Sequence, residues 1–263
     1  MKKFYILVKY LKYLFVSYNR HGIHSPFVYD LIDNVIYDTT NYPAFIEIEK
    51  IRVQLKKDEK ELMIEDYGAG SSINPSLRRK ISDIATHSLK PKKYARLLFR
   101  LAKHFKPQNI LELGTSLGVT TIYLSQAQAE NKCTIYTIEG CPQIASVANE
   151  NFIKANVNNI KLFKGKFEEV LPDVIAQHSV WDFVFFDGNH KKEPTLSYFT
   201  TCLEKAGNDS VFVFDDIHWS DEMEQAWEII KINPKVRVTI DLFFVGLVFF
   251  RKEQPKQDFI IRY

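Results

Sequence analysis

The chain has 263 residues, a formal net charge of +3 and a 25% charged fraction, which argues against wholesale disorder, does not point to a dedicated nucleic-acid binder and leaves room for one to two domains with an ordinary core. Only 10 Gly and 10 Pro stand against 20 Phe and 13 Tyr, which excludes collagen-like and linker-rich chains. The three cysteines, Cys133, Cys141 and Cys202, include no CxxC pair, so a disulfide framework and a thiolate zinc site are not expected and a reduced, cytoplasmic location is.

Residues 4–18 place Phe4, Leu7, Leu11, Leu14 and Tyr18 at helical spacing, with Lys2, Lys9 and Lys12 on the opposite face. This is a helix that packs on the body of the protein or on a second subunit, or else one that lies on a membrane surface. No apolar run is long enough to span a membrane, and no small-residue cleavage site follows Met1–Val8. The segment from His21 to Phe27 breaks the periodicity, and its two histidines lack a nearby third ligand. Residues 45–61 are dense in alternating charge and predict a solvated helix. Between Arg78 and Lys106 the basic residues predict the wet face of a helix, because stacking aromatics are not interleaved with them.

From about residue 90 short apolar runs alternate with helical segments. The runs are 110–113, 134–138, 160–163, 183–186 and 211–214; the helices lie near 118–129, 142–156, 167–177, 193–205 and 221–231. That alternation predicts an α/β, Rossmann-like, doubly wound and mostly parallel sheet. Two last strands, 237–242 and 245–251, are too close for a crossover helix and predict an antiparallel hairpin, which makes seven strands in all.

Two glycine-containing turns compete as a nucleotide loop. Glu65–Ser72 follows a short apolar run but is followed by Asn74-Pro75 and by no strand ending in an acid. The turn from Glu112 to Gly118 follows a strand and opens a helix, and the next strand ends at Glu139, where a carboxylate can accept both hydroxyls of a ribose. Its Glu-x-Gly-x-x-x-Gly spacing is not the GxGxxG of dinucleotide enzymes, and Glu112 would repel a pyrophosphate. It suits a cofactor with a cationic amino-acid group.

On these residues the chain from about 90 to 251 resembles the class I S-adenosylmethionine-dependent methyltransferases, and within them the catechol and caffeoyl-CoA O-methyltransferase type and its bacterial relatives. The reading is therefore a helical N-terminal extension over 1–88, which contains no recognisable module and covers the substrate, supports a homodimer, or both, followed by an S-adenosylmethionine-binding domain over 89–263. The resemblance implies that Glu112, Gly114, Ser116, Gly118 and Thr120 hold the methionine part of the cofactor, Glu139 its ribose, and Gly165, Lys166 and Phe167 its adenine. Asp187, after the fourth run, joins this set.

Three acids stand at the carboxyl ends of the fourth and fifth runs: Asp187, Asp215 and Asp216. Converging carboxylates repel unless a cation or hydrogen bonds compensate, and oxygen donors suit Mg²⁺ or Ca²⁺. The resemblance implies a metal on these three, although Asp216 stands where the family has Asn. Metal-free relatives also carry Asp-Asp here, so acids that cap loops remain the alternative. The family's catalytic lysine position is taken by His190, an imidazole suited to accept a proton near neutral pH. His218 is the second candidate base, and Trp219 a wall of the acceptor pocket. The function implied is methylation of a small-molecule hydroxyl. RNA, a protein side chain or a lipid-linked saccharide are alternative acceptors, and a non-catalytic cofactor-binding protein is an alternative class.

Overall fold

The computed structural model describes residues 2–64 and 78–263, with the side chains from Tyr5 onward. The turn at Glu65–Ser72 lies outside the described residues. In chain order the elements are α1 (Lys2–Val16), α2 (Pro26–Leu31), α3 (Ala44–Leu55), β1 (Glu61–Met63), β2 (Arg78–Lys80), α4 (Ile81–Ser88), α5 (Lys92–Phe105), β3 (Asn109–Leu113), α6 (Val119–Ala127), β4 (Thr134–Glu139), α7 (Pro142–Lys154), β5 (Ile160–Lys164), α8 (Phe167–Ile175), β6 (Trp181–Phe186), α9 (Lys192–Leu203), β7 (Ala206–Asp215), α10 (Asp221–Ile232), β8 (Val238–Asp241), β9 (Val245–Phe249) and β10 (Gln257–Ile260). They fall into two compact units, one of residues 39–177 and one of residues 1–38 with 178–263.

In the unit of residues 39–177, β3, β4 and β5 pair in parallel, with Glu112 beside Thr137 and Glu139 beside Lys164. β1 and β2 form a separate antiparallel pair. β3 and β4 are buried along nearly their whole length, as strands inside a parallel sheet are, whereas β5 exposes Lys161 and Lys164. Residues 45–61 do not make one solvated helix. Phe45, Ile48, Ile51 and Leu55 form a buried stripe on α3, and the helix stops at Leu55. Glu47 and Lys50 are exposed, Arg52 is itself buried beside Glu49, and spacing rather than charge density decided the burial. Likewise Lys90 and Arg100 are buried rather than on a wet face, since a long aliphatic stem covers apolar surface well.

In the other unit β6 and β7 are parallel, while β9 runs antiparallel between β7 and β8. The closing hairpin is therefore present. β10 adds a strand parallel to β8 that the periodicity does not predict. β10 has four residues and an exposed start, too short and too polar to announce itself by periodicity. The apolar interior includes Trp181, Phe185, Phe214 and Trp227, each fully buried, with the Phe186 and Phe214 rings stacked at 4.3 Å. Ser220 caps α10 through Met223 N–H, and Asp221, Glu222 and Glu224 in its first turn complement the helix dipole.

Gly246 on β9 lies where a Cβ would come within 2.7 Å of the Trp227 ring and 3.1 Å of Ile217. Gly246→Ala is expected to lose about 1–3 kcal/mol through overpacking, read as a lower midpoint of thermal unfolding. An unchanged midpoint would mean that the Trp227 ring can move aside.

Candidate functional site

The Gly114 turn is built by backbone conformation. Gly114, Ser116 and Gly118 all have positive φ, at 106°, 49° and 79°, and Gly118 opens α6. The N–H groups of Gly114 and Thr115 both donate to Ile138 O, which pins the turn to the end of β4. At that end the Glu139 carboxylate accepts from Ser116 N–H at 2.8 Å and from Cys141 N–H at 3.0 Å. Residues 23 apart in the chain are thus joined at one turn, and the Ser116 and Ser88 hydroxyls lie 3.1 Å apart beside it.

Glu112 is fully buried. One carboxylate oxygen accepts from the Thr121 hydroxyl at 2.5 Å and from the Thr137 hydroxyl at 2.7 Å. The other, Oε1, has no hydrogen-bond partner among the described residues. Burial pushes the carboxyl up to about 7, against the opposing pull of the two hydroxyls and of Lys90. A buried carboxyl oxygen without a donor is a place for a cationic or N–H-bearing ligand group. The hydroxyl partners are Thr121 and Thr137, which sequence reasoning did not single out, whereas Thr120 is only half-buried. The available signal was Thr137, a polar residue inside the apolar run 134–138, which the parallel register sets beside Glu112.

Gly165, at φ 143°, donates to Glu139 O. Lys166 precedes α8 and is exposed, and Phe167 is half-buried, so its ring is not sealed in a core.

In the unit that contains β6 and β7, the register pairs Phe186 with Phe214 and so sets Asp187 and Asp215 at adjacent strand ends. Ligand atoms of Asp187, His190 and Asp215 all lie within 4.8 Å of one another. His190 Nε2 is 3.7 Å from an Asp187 oxygen. Asn189, His190 and Asp216 adopt positive φ at 66°, 31° and 54°, a concentration of left-handed, non-glycine backbone of the kind found at functional sites. Asp216 does not join the converging three; its N–H donates to Phe244 O at 2.6 Å.

His218 is engaged on both sides. Nε2 meets Asp241 at 2.7 Å and Nδ1 meets Glu224 at 2.9 Å, while Glu224 also accepts from Lys9 on α1 at 2.6 Å. Burial works against its protonation, but Asp241 and then Glu224 outweigh burial and hold it above the usual imidazole range. A histidine held between two carboxylates ties α1 and α10 to β8 and is poorly suited to accept a proton from a substrate. Trp219 follows it and is partly exposed.

Residues 111–217 match the family model described as a methyltransferase domain. Over 119 residues the chain is 31% identical to a catechol O-methyltransferase of Niastella koreensis, a match covering 44% of this chain and 52% of that protein. Over 134 residues it is 23% identical to the O-methyltransferase hkm8 of Aspergillus hancockii, covering 49% of this chain and 52% of that protein. The matched part thus spans about half the length of these curated relatives. The fold is similar to that of an O-methyltransferase from Bacillus cereus solved in complex with SAH, with a TM-score of 0.57, 18% identity, and coverage of 81% of this chain and 93% of the other. It is also similar to TomG of Streptomyces achromogenes in complex with SAM, with a TM-score of 0.54, 21% identity, and coverage of 62% and 82%. Among the described residues no helix is long and apolar enough to cross a membrane.

Proposed function

We propose, on the premise that residues 111–217 are a class I S-adenosylmethionine-dependent methyltransferase domain similar to a catechol O-methyltransferase, that the chain moves a methyl group from S-adenosylmethionine to a hydroxyl of a small molecule. The observation that carries this reading is the Glu139 carboxylate held on the Ser116 N–H inside the Gly114–Gly118 turn, with Glu112 Oε1, two residues before that turn, buried and without a hydrogen-bond partner among the described residues. A carboxylate at the first position suits ribose hydroxyls, and one at the second suits an ammonium group, which supports this reading. When bound, the cofactor supplies a sulfonium-activated methyl group, which is transferred by in-line displacement.

The chain's own residues then have distinct tasks. Glu112, Gly114, Ser116, Gly118 and Thr120 hold the methionine part of the cofactor. Glu139 holds the ribose, and Gly165, Lys166 and Phe167 line the adenine. His190 takes the acceptor's proton at Nε2, and Asp187 stabilises the imidazolium that results.

A second reading rests on the convergence of Asp187, His190 and Asp215. The carboxylates of Asp187 and Asp215, with Asp216 next in the chain, are a donor set that suits Mg²⁺ or Ca²⁺, and such an ion, when bound, lowers the pKa of an acceptor hydroxyl. The imidazole is a poor ligand for either ion, which keeps proton transfer as the role of His190.

Calorimetric titration with S-adenosylhomocysteine, beside NAD as a control, tests the reading. Micromolar binding of S-adenosylhomocysteine and none of NAD is expected. No binding to folded protein would remove the methyltransferase reading. Turnover of a catechol with Mg²⁺, and its loss in EDTA, would establish the metal-assisted form; turnover unchanged by EDTA would leave His190 alone in charge of the proton. Cofactor binding without transfer to any hydroxyl acceptor would indicate a different acceptor or a binding protein.

A further inference from the structure

The inner side of α1 is fully committed to its own unit. Tyr5 donates to Asp221 and Lys9 to Glu224, both at 2.6 Å, Tyr13 donates to Ile261 O, and the Tyr10 and Tyr13 rings pack on Phe243. The outer side is apolar and open. Leu7, Leu11 and Phe15 follow one another at four-residue spacing and are 51%, 47% and 89% exposed, and Val16 and Tyr18 after them are exposed as well. On a helix this spacing makes one ridge about 12 Å long. Lys12 is exposed beside it, Lys2 and Lys3 stand at the start of the helix, and no Asp or Glu occurs before Asp30.

We propose that this outer face of α1 docks the protein on an anionic lipid surface, with α1 lying in the plane of the headgroups. An apolar ridge on a helix whose own charged residues are all cationic, with the acids Asp221 and Glu224 engaged on its inner side, is complementary to a bilayer that offers hydrocarbon beneath a negative surface. The same charge pattern works against a second copy as the occupant, because two such faces would set lysines against lysines. At 15 residues the helix is too short to span, and the hydrogen bonds of its inner side fix which face is presented.

The test is flotation of the whole chain with vesicles of phosphatidylcholine alone and with vesicles carrying phosphatidylglycerol. Flotation with the anionic vesicles only is expected, weakening several-fold between about 0.05 and 0.5 M salt. Leu11→Glu with Phe15→Glu should reduce binding at least tenfold. Leu11→Ser with Phe15→Ser should do so without added charge, and Lys12→Glu should reduce it several-fold. Circular dichroism and the unfolding midpoint should not change, since these side chains are exposed. Absence of flotation with anionic vesicles, or flotation that survives the paired substitutions, would overturn the proposal. So would a concentration-dependent dimer lost in the same variants without vesicle binding, which would give the ridge to a second copy.

Discussion

His190→Gln is expected to lower methyl transfer by about 100-fold or more, with the affinity for S-adenosylhomocysteine unchanged within about twofold. The reason is geometric. Three residues after Asp187, the chain turns through left-handed backbone at Asn189 and His190 and brings the imidazole to 3.7 Å from the Asp187 carboxylate. In the proposed reaction an acceptor hydroxyl loses its proton as it attacks a sulfonium-bound methyl, and an imidazole beside a carboxylate suits that task. Glutamine keeps the size and a hydrogen-bonding end but cannot hold that proton. Because cofactor contacts are assigned to other residues, the loss should fall on turnover and not on cofactor affinity. Full turnover by the variant between about pH 6 and about pH 9 would remove His190 as the base. His218 would not be its natural replacement, because Asp241 and Glu224 already occupy both of its ring nitrogens.

The second large effect concerns Glu112 and is a pH dependence of stability. In the folded chain burial raises its carboxyl to about 7, whereas an exposed glutamate titrates near 4.5. The group therefore favours the folded state in its protonated form. Its contribution is complete below the unfolded value and is lost as pH rises from about 4.5 to about 7. The loss should reach about 3 kcal/mol, on the order of 1.4 kcal/mol for each pKa unit. Glu112→Gln removes the titration, so denaturant unfolding at pH 5 and pH 8 should show the wild-type chain losing more stability than the variant over this interval. Equal losses would mean that the carboxyl is ionised when folded. In the proposed binding mode the same residue ties stability to the ligand. An ammonium group at Oε1 would charge Glu112, so S-adenosylhomocysteine binding near pH 6 should release a proton in the wild-type chain and none in Glu112→Gln. Calorimetry in two buffers of different ionisation enthalpy reads this directly.

Much of this architecture is legible in the amino-acid sequence. The apolar runs and helical spacings place β3 to β9 within a few residues, and the short gap between Asp241 and Val245 announces the hairpin. Glu139 can be named as a candidate ribose-binding acid because it ends the strand after the glycine turn. Asp187 and Asp215 can be named because parallel strands deliver their carboxyl ends to one edge. The segments that depart from expectation are those where composition stands in for spacing. The charges of residues 45–61 hide the stripe Phe45, Ile48, Ile51 and Leu55, and the polar start of β10 hides a strand.

The alternation of elements, the order of the glycine turn and its acids, and the residue types available for chemistry follow from the amino-acid order alone, since they depend on local periodicity and position in the chain. Which groups meet is settled by the folded arrangement. Strand register sets Thr137 against Glu112. Left-handed backbone at His190 and at Asp216 brings the former into the cluster with Asp187 and Asp215, while Asp216 N–H is taken by Phe244 O. Packing of α1 and α10 turns His218 from a candidate base into a bridge between Asp241 and Glu224. Those outcomes depend on distances between residues remote in the chain, and no local pattern in the sequence encodes them.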